Sequence, residues 1–259
     1  MTCEEFSMEL ANLLEGVDCV SDASVAFSGG LDSSVVAYLV RDCSPRLYTV
    51  GFEGGKDIEN AREIAELLNL EHEVVILNED ILLEGLVHLI SRFPHLTPVE
   101  LSFELPLYFV AKYSAYSPIY TGQGADELFG GYAKYLTNPD LMEGDVDTLL
   151  HKTIPREREI ASIFGKNIET PYLSEDIIML SRRIPVKCKI YNGVRKYVLR
   201  EAARLLEIPE DVIIKEKKAA QYGSGIWKKM RKMARSRGLT VSEFIEDIKR
   251  NITNGRERY

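Results

Sequence analysis

The sequence predicts an α/β fold, a doubly wound parallel sheet followed by an all-helical C-terminal subdomain. Three observations carry that prediction. Short β-branched or aromatic runs alternate with longer helical stretches through the first half, the pattern of parallel β-α-β units. Strand-like runs stop after about Leu136. Two glycine-rich turns, far apart along the chain, each follow an apolar run and open a helix.

Taken in order, "MTCEEFSMELANLLEG" carries acids where a signal peptide would carry lysines, and Phe6, Leu10, Leu13, Leu14 and Val17 recur at helical spacing, which predicts an amphipathic first helix. Strands are expected at "SVAF" (24–27), "RLYTVGF" (46–52), "HEVVIL" (72–77) and "PIYTG" (118–122). Between and after them, helices are expected over Ser33–Arg41, Asp57–Leu68, Glu79–Arg92 and Leu101–Tyr113. Asp57 is the expected N-cap of the second, with Ile58, Ala61, Ile64, Ala65 and Leu68 along its apolar face. Beyond Leu136, "NPDLMEGDVDTLLHKTIPREREIASIFG" and "NGVRKYVLREAARLLEIPEDVIIK" show helical periodicity punctuated by Pro and Gly. Without a low-complexity linker or repeat, residues 137–259 are expected to lie against an α/β core formed by residues 1–136.

The 259 residues include 32 basic and 40 acidic ones, a net charge of −8, which argues against nucleic acid as a partner although the last thirty or so residues are locally basic. The longest apolar run near the first glycine turn, "VVAYLV", is far shorter than the roughly 20 residues of a membrane span. Cys3, Cys19, Cys43 and Cys188 contain no C-x-x-C pair, so neither a zinc site nor a disulfide framework is expected, and a reducing cytoplasm fits best.

The first glycine turn is "FSGGLDSSV", 27–35. A strand-loop-helix of this kind aims unpaired amides and the positive end of the helix at one point, which suits an anion. Gly29 and Gly30 allow close backbone approach, while Ser28, Ser33 and Ser34 add hydroxyl donors. The chain has no G-x-x-x-x-G-K-[ST], and "GQGADELFGG" fails G-x-G-x-x-G at its third glycine, so the commonest phosphate-loop readings fall away. Asp32 beside a phosphate is repulsive unless a divalent cation such as magnesium lies between them; the alternative is that Asp32 caps the next helix. The second turn, "TGQGADELFGGY" (121–132), places Asp126 and Glu127 at another strand-to-helix junction, with Gly122 and Gly124 keeping the backbone close. In a doubly wound sheet two such turns meet at the topological switch point, so these carboxylates are expected to face the same metal. The alternative is that both acids simply favour the helix dipole.

"SGGLDSS" resembles the pyrophosphate loop of the ATP pyrophosphatase (PP-loop) superfamily. "TGQGADELFGGY" resembles the S-G-E-G-[SA]-D-E-[LV]-F-G-G-Y motif of the synthetase domain of asparagine synthetases. The similarity continues through "YTVGFEGGKDIENAREIAELLNLEHEVV", "GKNIETPYLSED", "RKYVLREAA" and "KKAAQYGSGI", from about Val25 to about Met230. It implies an adenine nucleotide α-hydrolase-like core, a helical subdomain completing the active site, ATP and Mg2+, and amide formation through an acyl-adenylate. By position it places the pyrophosphate on Ser28, Gly29, Gly30, Asp32, Ser33 and Ser34, the metal on Asp32 and Asp126 with Glu127 beside them, and adenine against Phe27, Val50 and Gly122. Lys217 or Lys218 supplies the cation near the α-phosphate.

The chain departs from this pattern on the acceptor side. Gln123 replaces the family glutamate, removing a base beside the adenylate, and "PVELSFELP" (98–106) lacks the threonines and arginine that grip aspartate. In "GKNIETPYLSED", the family's E-x-R becomes Asn167 and Glu169, and its closing aspartate becomes Ser174. The acceptor is therefore a small carboxylic acid, aspartate by family default. Met1-Thr2-Cys3 leads into the synthetase-like region within about 25 residues, which predicts no glutaminase domain and ammonia from solution or from a separate glutaminase subunit, with an oligomer allowed. Two rival readings are an RNA-modifying PP-loop enzyme and a non-catalytic ATP-binding subunit.

Overall fold

Five short strands, β1 (Ser24–Ala26), β2 (Arg46–Phe52), β3 (His72–Leu77), β4 (Ile119–Tyr120) and β5 (Ile168–Glu169), pair in parallel in the order β3-β2-β1-β4-β5 in a computed structural model that describes residues 1–214 and 224–255. The register sets Ser24 opposite both Arg46 and Ile119, and Ile119 opposite Ile168. The chain therefore winds outward from β1 to β3, crosses back, and continues through β4 to β5. That reversal puts the switch point between β1 and β4, at their carboxyl ends, where the two glycine turns emerge.

The helices are α1 (Cys3–Glu15), α2 (Leu31–Leu39), α3 (Lys56–Leu67), α4 (Glu79–Arg92), α5 (Pro98–Tyr113), α6 (Ala125–Phe129), α7 (Leu141–Thr148), α8 (Ile154–Ser162), α9 (Glu175–Arg183), α10 (Val186–Lys189), α11 (Tyr197–Leu205), α12 (Glu210–Ile213), α13 (Ile226–Ser236) and α14 (Val241–Thr253). Their ends follow local chemistry. The Asn78 side chain accepts from the Ile81 amide, which fixes the start of α4 where the sequence places it. Thr97 and Glu100 form a capping box with Pro98 in the first turn, so α5 begins three residues before the expected Leu101. Gly55, not Asp57, is the N-cap of α3, and Asp57 lies in its first turn.

Side chains alternate across the parallel strands and bury both faces. On one face Val25 and Leu47 join Leu10 and Leu14 of α1, Val35 of α2, Ile64 of α3, Leu180 of α9 and Ala202 of α11. On the other, Tyr48 and Val50 join Leu86 of α4, Leu105 and Phe109 of α5, Ile160 of α8, Met230 of α13 and Phe244 of α14. Each fully buried leucine contributes about 2 kcal/mol of transfer free energy, and two such layers hold the sheet rigid beneath the turns.

Two expectations need correction. Strand structure does not end at Leu136: β5 extends the main sheet, and β6 (Ile190–Tyr191) pairs antiparallel with β7 (Val194–Arg195). These two-residue strands are too short to show a periodic pattern. The cysteines are not isolated thiols either. Cys3 is bonded to Cys188 with Cα atoms 5.2 Å apart, and Cys19 to Cys43 with Cα atoms 6.1 Å apart. The first pair is separated by 185 residues and meets because α1 lies against α11, next to α10, a proximity that sequence spacing cannot reveal. Among the described residues, no helix is long and apolar enough to cross a membrane.

Candidate active site

The first turn is a tight serine-glycine cradle. The Ser28 amide donates to Ser33 Oγ at 3.1 Å, the Ser28 and Ser33 hydroxyls are 3.1 Å apart, and Ser33 Oγ donates to the Gly30 carbonyl at 3.3 Å. Gly29 has φ +67°, and a Cβ there would lie 2.8 Å from Ala61 Cα, so only glycine lets α3 close against the turn. Asn60 Nδ2 donates to the Gly29 carbonyl from the same helix. Gly30 is the N-cap of α2 and makes no side-chain cap, while Asp32 lies inside the first turn. Asp32 therefore does not cap the helix. Ser34 Oγ is buried with no hydrogen-bond partner, as is Thr121 Oγ1 on the opposing turn. Phe27 and Val50 are buried at the carboxyl ends of β1 and β2, but in the clusters on opposite faces of the sheet.

The two turns meet. A Cβ on Gly122 would lie 3.0 Å from Asp32 Cβ and 3.0 Å from the Ser33 amide nitrogen. Asp32 and Asp126 converge on one cation absent from the sequence-based site, Lys196, whose Nζ lies 2.5 Å from Asp32 Oδ1 and 2.7 Å from Asp126 Oδ1. Lys196 is 3% exposed and sits at the N-cap of α11 in a left-handed conformation, φ 57°. Burial lowers its pKa and the Asp32 carboxylate opposes that shift, so the ammonium is held by the acids it joins. Glu127 accepts from Tyr132 Oη at 2.6 Å, and burial raises its pKa. Tyr172 Oη donates to the Asp32 carbonyl at 3.1 Å, tying the loop after β5 into the same site.

Gly131 closes the turn against this pair. A Cβ there would lie 1.9 Å from Asp126 Oδ1 and 2.2 Å from Lys196 Cε. Gly131→Ala is expected to displace the ion pair and cost about 1–3 kcal/mol of stability. Thermal unfolding checks this; a wild-type melting temperature would contradict it.

From the second turn, Gln123 Nε2 donates to Glu157 Oε1 of α8. Glu157 is buried and its pKa is raised well above the usual carboxylate range, first by burial and then by Glu104. Glu104 is itself buried, and burial lifts its pKa to about 7 against the pull of Arg156. Arg156 Nη2 lies 2.6 Å from Glu104 Oε1, and its Nη1 lies 3.3 Å from Glu100 Oε1. An arginine does reach "PVELSFELP", but it comes from α8 and is engaged by two glutamates of α5. Glu104 Oε2 and Glu157 Oε2 are buried without hydrogen-bond partners. Lys217 and Lys218 lie outside the described residues.

Among the described residues, no group of three or more His, Cys, Asp or Glu side chains has metal-site geometry. Magnesium commonly takes only one or two carboxylates plus phosphate oxygens of its substrate, a number Asp32 and Asp126 could supply, with both carboxylates engaged by Lys196 Nζ in this structure.

Fold and site together define a doubly wound parallel α/β protein whose polar turns face each other at the switch point. The chain belongs to the asparagine synthase family, whose sequence model matches residues 18–143 and 139–240. A Methanocaldococcus jannaschii protein provisionally named asparagine synthetase (glutamine-hydrolysing) 1 is 27% identical over 292 residues, covering 94% of this chain and 54% of that protein. Asparagine synthetase (glutamine-hydrolysing) 1 of Arabidopsis thaliana is 26% identical, covering 78% of this chain and 39% of its own length. The chain thus spans about half the length of these relatives or less. Among solved structures, NMN synthetase from Francisella tularensis superposes with a TM-score of 0.45 at 16% identity, covering all of this chain and 89% of that one. The NH3-dependent NAD synthetase of Campylobacter jejuni gives 0.44 at 16% identity, covering all of this chain and 98% of that one.

Proposed function

We propose that this chain is an ATP-dependent amide ligase that releases AMP and pyrophosphate. The observation that carries the reading is the convergence of Asp32 and Asp126, from two separate strand-end turns, on the buried Lys196 beside the Ser28–Ser34 cradle. In this reading an oxygen of the acceptor carboxylate attacks the α-phosphorus of ATP, the bond to the bridging α,β-oxygen breaks, and pyrophosphate leaves with that electron pair. Ammonia, free or supplied by a separate glutaminase, then attacks the acyl carbon; the bond to AMP breaks and one proton leaves nitrogen. Ser28, Gly29, Gly30, Ser33 and Ser34 are assigned the departing diphosphate, and adenine is assigned to the carboxyl-end edge of the sheet at Gly122, with Phe27 and Val50 backing it from opposite faces. Asp32 and Asp126, with Glu127 beside them, would hold magnesium, which when bound neutralises charge building on the phosphates. Lys217 or Lys218 is assigned the α-phosphate. Aspartate is the first acceptor to test.

Gln123 cannot take the proton from nitrogen, but the carboxylate it contacts can. Glu157, ionised, is the base in this reading, with Gln123 positioning it and Glu104 raising its proton affinity. Because Glu104 and Glu157 have raised pKa values, they stabilise the fold most fully below about pH 4.5, and that contribution is lost as pH rises through about 7 for Glu104. At constant free ammonia, amide formation is expected to climb with pH as Glu157 gives up its proton. Glu157→Gln is expected to flatten the climb, lower amide formation at pH 8 by about 10²-fold and leave pyrophosphate exchange within about twofold. Unchanged amide synthesis in this variant would remove Glu157 from the mechanism. The reading as a whole is tested by screening carboxylic acids, aspartate first, for acid-dependent exchange of labelled pyrophosphate into ATP. Exchange with one acid supports it; no exchange with any acid, despite tight ATP binding, would favour a non-catalytic role.

A further inference from the structure

The two faces of α13 differ sharply in chemistry. Ile226, Met230, Met233 and Ala234 are buried, whereas Lys228, Arg231, Lys232 and Arg235 are exposed at i, i+3, i+4 and i+7. A cationic stripe about 10 Å long therefore runs down one side of the helix. These four residues and Lys229 line one wall of a 660 Å³ cleft, and the opposite wall is the end of β2 and the turn that follows it, Gly51–Gly55. No residue of 27–34 or 121–132 lines it, so the cleft is separate from the two turns of the candidate active site.

Lys229 is committed within the fold: its Nζ lies 2.9 Å from Glu79 and 5.4 Å from the centre of the Phe52 ring. Among the described residues, no carboxylate lies within ion-pair distance of Lys228, Arg231, Lys232 or Arg235. The acids of the cleft are Glu53 and Asp57, set against five cations in a chain whose net charge is −8. Gathering like charges on one helix face is unfavourable unless an anion offsets them. Several cations spread over about 10 Å match closely spaced phosphoryl groups better than a single carboxylate, and two arginines offer planar forks to phosphate oxygens. The volume lies within the usual range for small-molecule sites, and Phe52 with the glycine backbone supplies a flat, partly apolar wall.

We propose that this cleft binds a multiply phosphorylated ligand, with its phosphoryl groups along Lys228, Arg231, Lys232 and Arg235. The same chemistry is offered by a free polyphosphate and by the backbone of a single-stranded nucleic acid. The proposal is independent of the amide-ligase reading, because it uses none of that site's residues.

The test titrates the full chain with inorganic tripolyphosphate by calorimetry and with a labelled oligoribonucleotide by fluorescence anisotropy, both without magnesium. At least one probe is expected to bind, and the neutral variant K228Q/R231Q/R235Q is expected to weaken that probe by at least about tenfold. The charge-conserving variant K228R/R231K/R235K should stay within about twofold of wild type. If the oligoribonucleotide binds, the slope of log affinity against log salt should fall by about two units in the neutral variant. Binding of tripolyphosphate alone supports the free-ligand source, and binding of the oligoribonucleotide supports the nucleic-acid source. Failure of both probes, or equal binding by wild type and the neutral variant, overturns the proposal. Wild-type salt dependence provides a readout that does not depend on any variant folding.

Discussion

Asp32→Ala is expected to abolish acid-dependent ATP–pyrophosphate exchange, a loss of about 10³-fold or more. Asp32 is one of two carboxylates that meet at Lys196, and it stands in the first turn of α2, where the Ser28–Ser33 cradle also converges. Its removal takes away one of the proposed metal ligands and leaves Lys196 with Asp126, so the buried ammonium keeps one partner. The protein should still fold, and a thermal melt run beside the exchange assay separates lost chemistry from lost structure. Wild-type exchange in this variant would place the chemistry elsewhere.

Lys196→Met carries the largest expected effect on stability. Methionine approximates the length of the lysine stem but leaves Asp32 and Asp126 facing each other without the cation that joins them. Breaking a buried ion pair by deleting one partner typically costs about 3–5 kcal/mol, because the remaining charge is left uncompensated. The acids that remain repel each other, so their pKa values should rise in the folded variant. The deficit is therefore expected to be greatest near neutral pH and to shrink as pH falls toward about 4, where the carboxylates take up protons. Urea unfolding at pH 7.5 and pH 4.5 measures it. An equal deficit at both pH values would mean that Lys196 acts through packing alone.

The parts of the fold that were legible are those written in local periodicity. β2 and β3 have six or seven residues each, and α4 begins at a side-chain cap, so their limits follow from neighbouring residues. β5 is held only by Ile168 and Glu169 pairing with Ile119 and Tyr120, and that partnership is long-range. The same division runs through the site. The serine-glycine turn and Asp126 announce themselves by residue type, because close backbone approach favours glycine and few side chains carry a carboxylate. Lys196 lies in "RKYVLREAA", a segment recognisable as a unit, yet its role depends on a left-handed backbone that turns its ammonium toward residues 70 and 164 positions away. Glu104, Arg156 and Glu157 are similarly hidden. Glu104 reads as one more acid on α5 until α8 brings Arg156 and Glu157 against it. The disulfides show the limit most plainly, since the Cys3–Cys188 pair, 185 residues apart, is visible only once α1 is seen to lie beside α10 and α11.

If the two turns at the switch point grip a departing diphosphate, as proposed, ATP breaks between its α- and β-phosphates. Phosphorus NMR of the products, with magnesium, ammonia and the acid that supports exchange, measures this directly. AMP and pyrophosphate in equal amounts are the predicted result, and ADP with inorganic phosphate would contradict it.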